Sequence, residues 1–152
     1  MQLKRVVVTG LGALTPLGNN LNDYWNNLIK GVSGAGPITR FDPEKFKTKF
    51  ACEIKNYDPL DHFDRKEMRK MDPFTQYAMI TSKEAIEDSG LDLDKIDRLK
   101  AGVIWGSGIG GIRTFQDEVE NFVQGDKNPR FNPFFIPKMI SDISAGMISM
   151  KY

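Results

Sequence analysis

An α/β unit, with helices layered on extended strands, is the fold class that this sequence predicts. Two observations carry it. The β-branched runs "KRVVVTG" at 4–10 and "KAGVIWG" at 100–106 each close on a glycine, the pattern of a buried strand followed by a turn. The stretches after each run place their apolar residues at helical spacing.

Taken in order, the first run is expected to be a strand and turn. Asn20 or Asn22 can cap the next helix, which carries Tyr24, Trp25, Leu28 and Ile29 and stops at Gly31. Residues 32–62 read as a long irregular excursion, too long for a plain loop in a compact domain. Phe46, Phe50, Cys52 and Ile54 are its candidates for short strand segments. "DRKEMRKMD" at 64–72 is a short helical segment. Asp72 then caps, and Pro73 opens, the longest helix, with Phe74, Tyr77, Ala78, Thr81 and Ala85 as its expected buried face and Gly90 as its stop.

After the second run, Thr114–Gln124 is an amphipathic helix with Phe115, Val119, Phe122 and Val123 inward and Gly125 closing it. A proline-interrupted, aromatic loop follows at 128–137. A final helix at about 138–150 carries Met139, Ile140, Ile143, Met147 and Ile148. Two strands are few for a stable α/β sheet, and "ISAGMISMKY" stops without a cap or polar tail. The expectation is a single domain, 1–152, cut short.

Composition narrows the function. A net charge of +1 gives no global basic field, so nucleic acid is not indicated. The single cysteine, Cys52, cannot form an internal disulfide and suits a reducing compartment. The N-terminal apolar run is too short for a signal peptide, and no run approaches the ~18 apolar residues of a membrane helix. A cytoplasmic protein, with no membrane partner, is expected.

Gly106, Gly108 and Gly111 in "GSGIGG" fit G-x-G-x-x-G. A dinucleotide site also needs an acidic residue roughly 20 positions on. That position falls in "RFNPFFIP", which has none. "VVVTGLGALTPLG" has Thr15 where the third small residue belongs. The competing reading is that glycines let backbone segments pass closely, as expected for Gly10, Gly12, Gly18 and Gly31.

Five strings settle the direction: "RVVVTGLGALTPLGN", "RKEMRKMDPFTQYA", "EAIEDSGL", "GSGIGG" and "NPFFIPKMISDISAG". In this order the chain resembles the N-terminal part of the β-ketoacyl-[acyl carrier protein] synthases, most closely the long-chain condensing enzymes. The resemblance implies a thiolase-like fold, here its incomplete N-terminal part, and a homodimer. It implies a decarboxylating Claisen condensation in fatty-acid biosynthesis, run by a cysteine at a helix N-terminus and two histidines. It implies no cofactor, since substrates ride on the phosphopantetheine arm of acyl carrier protein.

By the same resemblance, no catalytic residue is expected here. Cys52 in "KFACEIK" does not match the nucleophile motif, and His62 in "LDHFDRK" reads as a surface or loop residue. Lys66, Arg69 and Lys70 are the implied docking cations for acidic carrier protein, with Lys127 and Arg130 as an extension whose loop departs from the family spacing. Read without the resemblance, the first three are a solvated helix face with Asp64, Glu67 and Asp72 as partners. Ile109 is the implied gate of an acyl pocket that Phe135 reaches from the neighbouring subunit. Simple core packing is the competing reading for both. Trp105 is bulkier than the family pattern, which bears on pocket shape. Two other functions stay open: a stand-alone, non-catalytic carrier-binding module, and a nucleotide-binding oxidoreductase domain.

Overall fold

The computed structural model describes residues 3–152. In chain order its elements are α1 (Leu21–Ile29), β1 (Gly36–Pro37), β2 (Phe50–Ala51), α2 (Arg65–Met68), α3 (Pro73–Ser89), α4 (Ile112–Gln124), α5 (Phe135–Met139) and α6 (Ile143–Lys151). Single 3₁₀ turns lie at Pro59–Asp61 and Arg98–Lys100. The two strands pair antiparallel, Gly36 opposite Ala51 and Pro37 opposite Phe50. Of the four candidates in the excursion, only Phe50 lies in a strand.

Neither "KRVVVTG" nor "KAGVIWG" joins a sheet among the described residues. Both expectations are corrected, and the reason is physical. A helix satisfies its own backbone groups, whereas an extended run needs a neighbour for its row of N–H and C=O groups. Runs that are apolar on both faces also need cover on both. Neither run finds this within the described chain. Val6 is 89% exposed and Ile104 fully so.

The chain divides into two compact units. The first is the chain up to Tyr57 together with Lys83–Leu91; the second is Asp58–Ser82 with Asp92–Tyr152. Helix α3 supplies its early residues to the second unit and its late ones to the first.

In the first unit Asn20, not Asn22, caps α1; its side-chain oxygen accepts the Asp23 N–H at 2.9 Å. The segment after the N-terminal run lies along the late part of α3. There the Leu11 N–H donates to Asp88 (2.8 Å) and the Ala13 N–H to Glu84 (2.7 Å). The other Glu84 oxygen takes the Leu21 N–H at 2.6 Å. Gly10 makes this approach possible, because a Cβ there would sit 2.1 Å from the Ala85 carbonyl oxygen. The close-passage reading also holds at Gly18, whose Cβ would lie 2.5 Å from the Tyr24 nitrogen. Gly31 serves differently: it is in open space with φ +68°, a left-handed helix end.

Every fully buried residue among those described lies in the second unit. Its apolar core is Phe63, Met71, Ala78, Met79, Ile80 and Ile148. On α3 the buried positions are Thr75, Gln76, Ala78, Met79 and Ile80. The expected face keeps only Ala78; Phe74, Tyr77, Thr81 and Ala85 are half-buried. Burial wraps the first half of the helix rather than running down one stripe.

Helix α4 begins at Ile112, two residues earlier than expected, and its apolar stripe is not inward. Phe115, Val119 and Val123 are exposed and Phe122 is half-buried. The expected last helix is two, α5 and α6, broken at Ile140–Asp142. Its start falls inside the stretch anticipated as loop. The break follows from the glycine turn: the Met139 carbonyl accepts the Gly111 N–H at 2.9 Å, so it is engaged outside its own helix. Pro137 is tolerated because it sits in the first turn of α5, where N–H groups lack intrahelical partners anyway.

Candidate functional site

The site residues belong to the second unit. Asp64 starts α2 by accepting the Lys66 and Glu67 N–H groups at 2.8 and 2.7 Å. This cap holds a helix of only four residues. Lys66, Arg69 and Lys70 are exposed and share one face by their spacing. Among the described residues none of them forms an ion pair with a carboxylate of the chain. Of the three anticipated partners, Asp64 is engaged in the cap and Asp72 in the interior at 4% exposure, while Glu67 is exposed and pairs with none of the three cations. Lys127 and Arg130 are also exposed, but on the loop after α4, with Lys127 at φ 59°. The structure thus gathers three of the five cations on one turn and leaves the other two on a separate element.

Asp72 joins two helices. One carboxylate oxygen accepts the Thr114 N–H at 3.1 Å and the Thr114 hydroxyl at 2.6 Å. The other faces the Phe74 N–H at 3.4 Å. It therefore sits at the start of α3, as anticipated, and also against the first turn of α4, which sequence reasoning missed.

The turn before α4 is tight only in its second half. Gly110 has φ +87°, and a Cβ there would lie 2.5 Å from the Met139 oxygen. At Gly111 it would lie 2.2 Å from the Lys138 oxygen. Gly106 and Gly108 face open space. An acidic side chain already takes the Thr114 N–H at the start of α4, where a dinucleotide would need free donors for its pyrophosphate. This geometry argues against the nucleotide reading.

Beside the turn is an open, largely apolar cleft of about 670 Å³, lined by Ile109, Ile112, Phe115, Met139, Ile140, Ser141 and Asp142. Ile109 is among its lining residues. Within the same chain Phe135 stacks on Phe115, with ring centroids 6.4 Å apart, and on Phe131 at 5.7 Å. Phe115 was legible only as an apolar position of α4, and Met139 as one of the last helix. Their meeting at one cleft depends on the glycine turn crossing the α5 backbone.

Cys52 is an exposed thiol, outside any helix. His62 is exposed, closes the 3₁₀ turn and lies 6.3 Å from the Phe63 ring. Neither lines the cleft. Among the described residues no group of three or more His, Cys, Asp or Glu could hold a metal ion, and no helix is long and apolar enough to cross a membrane.

The chain belongs to the beta-ketoacyl synthase family, matching its N-terminal domain over residues 3–152. It is 46% identical over 150 residues to 3-oxoacyl-[acyl-carrier-protein] synthase 2 of Staphylococcus aureus (strain COL), covering 98% of this chain and 36% of that protein. Its identity to the synthase of the same name from Coxiella burnetii (strain RSA 493 / Nine Mile phase I) is 42% over 152 residues, again 36% of that protein. Among solved structures, the ishigamide ketosynthase/chain length factor superposes with TM-score 0.83 at 27% identity, over 95% of this chain and 36% of that one. AntDE:AntF, a type II PKS acyl-carrier protein in complex with its ketosynthase, gives 0.76 at 24% identity, over 99% of this chain and 39% of that one. The expected fold class holds: α/β, the N-terminal part of a thiolase-like architecture. The chain spans 36% of the length of the curated relatives it matches.

Proposed function

We propose that residues 3–152 are the N-terminal part of a fatty-acid condensing enzyme. This acyltransferase elongates acyl-[acyl carrier protein] with malonyl-[acyl carrier protein]. One observation carries the reading: 46% identity, sustained over 150 of the 152 residues, to a 3-oxoacyl-[acyl-carrier-protein] synthase.

On this reading Lys66, Arg69 and Lys70 dock the acidic carrier, with Lys127 and Arg130 as outlying contacts. The cleft takes the acyl chain, Ile109 gates it, and Phe135 reaches it across a homodimer. The reaction runs in the cytoplasm and needs no cofactor beyond the carrier's own phosphopantetheine. A cysteine thiolate outside this stretch accepts the acyl group, releasing the carrier thiol. Malonyl thioester then loses carbon dioxide, and its carbanion attacks the acyl thioester, expelling the cysteine thiolate. A helix N-terminus favours that thiolate, and aimed donors stabilise the oxyanion. Within this stretch the one thiol, Cys52, is in neither position.

The test is an assay with acyl- and malonyl-carrier protein. The protein encoded by the full reading frame around this chain is expected to make β-ketoacyl product, and residues 1–152 alone none above background. Product from residues 1–152 that survives Cys52→Ala would overturn the assignment of the chemistry to other segments. Carrier binding without turnover by the full-length protein would favour the non-catalytic binding module.

A further inference from the structure

We infer that Asp72 is a positioning residue: through Thr114 it fixes the mouth of the cleft relative to the helix that docks the carrier. The inference rests on the condensing-enzyme reading. Asp72 follows Lys70 by two residues, so its backbone is tied to the end of the docking turn. Its side chain reaches Thr114 through both the backbone N–H and the hydroxyl, at 3.1 and 2.6 Å. Thr114 is the third residue of α4. The first residue of that helix, Ile112, lines the cleft, as does Ile109 just before the glycine turn. One buried side chain therefore links the docking turn to the mouth.

The chemistry calls for a carboxylate. Among the described residues no ion pair reaches Asp72. It is held instead by donors at the first turns of α3 and α4, where the helix dipole favours negative charge. Asparagine, with a single acceptor oxygen, could still take both Thr114 donors and would set its N–H₂ only against the Phe74 N–H, whereas alanine removes all three bonds. A substrate tethered to a docked carrier enters from a fixed anchor, so its alignment depends on the distance from anchor to mouth. A small free thioester has no anchor and is indifferent to that distance. Displacements of about 1 Å in such an arrangement can cost up to ~100-fold in rate.

The test compares the full-length enzyme with its Asp72→Ala, Thr114→Val and Thr114→Ser variants. Each is given the same acyl group on carrier protein and on N-acetylcysteamine. Asp72→Ala is expected to lower the ratio of carrier-bound to small-thioester turnover by about 10- to 100-fold. The loss should lie in kcat, with KM for the carrier substrate little moved, because the α2 cations are intact. Thr114→Val should shift the ratio the same way by less, and Thr114→Ser, which keeps the hydroxyl, should restore it. Equal fractional losses with both substrates, or an unchanged ratio in every variant, would overturn the inference and leave the functional reading standing. If Asp72→Ala fails to fold, the two Thr114 variants decide alone: a serine variant as impaired as the valine one overturns it. An unsubstituted enzyme that turns over neither substrate removes the functional reading, and this inference with it.

Discussion

Val6–Val8 and Ala78–Ile80 are each three apolar residues long, and their fates in the structure are opposite. Ala78 has no exposed surface and Met79 and Ile80 are buried, while Val6 and Val8 are 89% and 78% exposed. Hydrophobicity does not separate them; backbone satisfaction does. Ala78–Ile80 lie in a helix that closes its own hydrogen bonds, so burying them needs cover for side chains but no partner for the backbone. Val6–Val8 are extended and need a second strand before burial is possible. Fully burying a valine is worth about 1.5–3 kcal/mol, which is unrealised here. The run at Val103–Trp105 repeats the contrast in the second unit.

Amide exchange is the strongest way to break this comparison. In the 152-residue chain, Val7 and Val8 are expected to exchange near the unprotected rate. Ala78–Ile80 should be slowed by about a thousandfold or more, since core amides open only against a stability of at least ~5 kcal/mol. Equal protection of both segments would show that the N-terminal run finds a strand partner in solution.

A second test sharpens the contrast within one motif. Gly111→Ala would force its Cβ to within 2.2 Å of the Lys138 oxygen, and overpacking of this kind costs about 1–3 kcal/mol. Gly106 and Gly108 face open space, so alanine there should stay within about 0.5 kcal/mol of the parent. Urea unfolding of the three variants measures this. A uniform cost would mean that all of "GSGIGG" is tightly packed.

These contrasts also explain what the sequence could reveal. The helix start at Asn20 and the stops at Gly31 and Gly90 were readable because each is set by a few adjacent residues. The exposed cations beside α2 were legible as a group from their spacing. The strands were misread as paired because pairing depends on another segment. The break between α5 and α6 was missed because it comes from Gly111, nearly 30 positions away in sequence. Asp72 was readable as a cap for the helix it precedes. Its bond to Thr114 spans 42 positions, and no local spacing rule reaches that far.

The smallest effect, and the one closest to function, concerns charges without partners in the chain. Lys95 and Lys100 meet Asp92 and Asp97 at 2.7 and 3.5 Å. The Lys95 hydrogen bond, followed by the Asp94 N–H, holds the Asp92 carboxyl below its usual range. Lys66 and Arg69 have no such carboxylate among the described residues. Two double reversals in the full-length protein, Lys66→Glu/Arg69→Glu and Lys95→Glu/Lys100→Glu, change net charge equally. If only the overall field steers the acidic carrier, both slow association alike. If α2 is the docking face, only the first does. Exposed pairs are worth about 0.2–1 kcal/mol each, so the expected loss is modest and falls mainly on the association rate. It should shrink between 0.1 M and 1 M salt as the Debye length falls from about 10 to 3 Å. Stopped-flow association with carrier protein reads both variants. Equal slowing by the two, or none by the first, would return Lys66 and Arg69 to a solvated helix face.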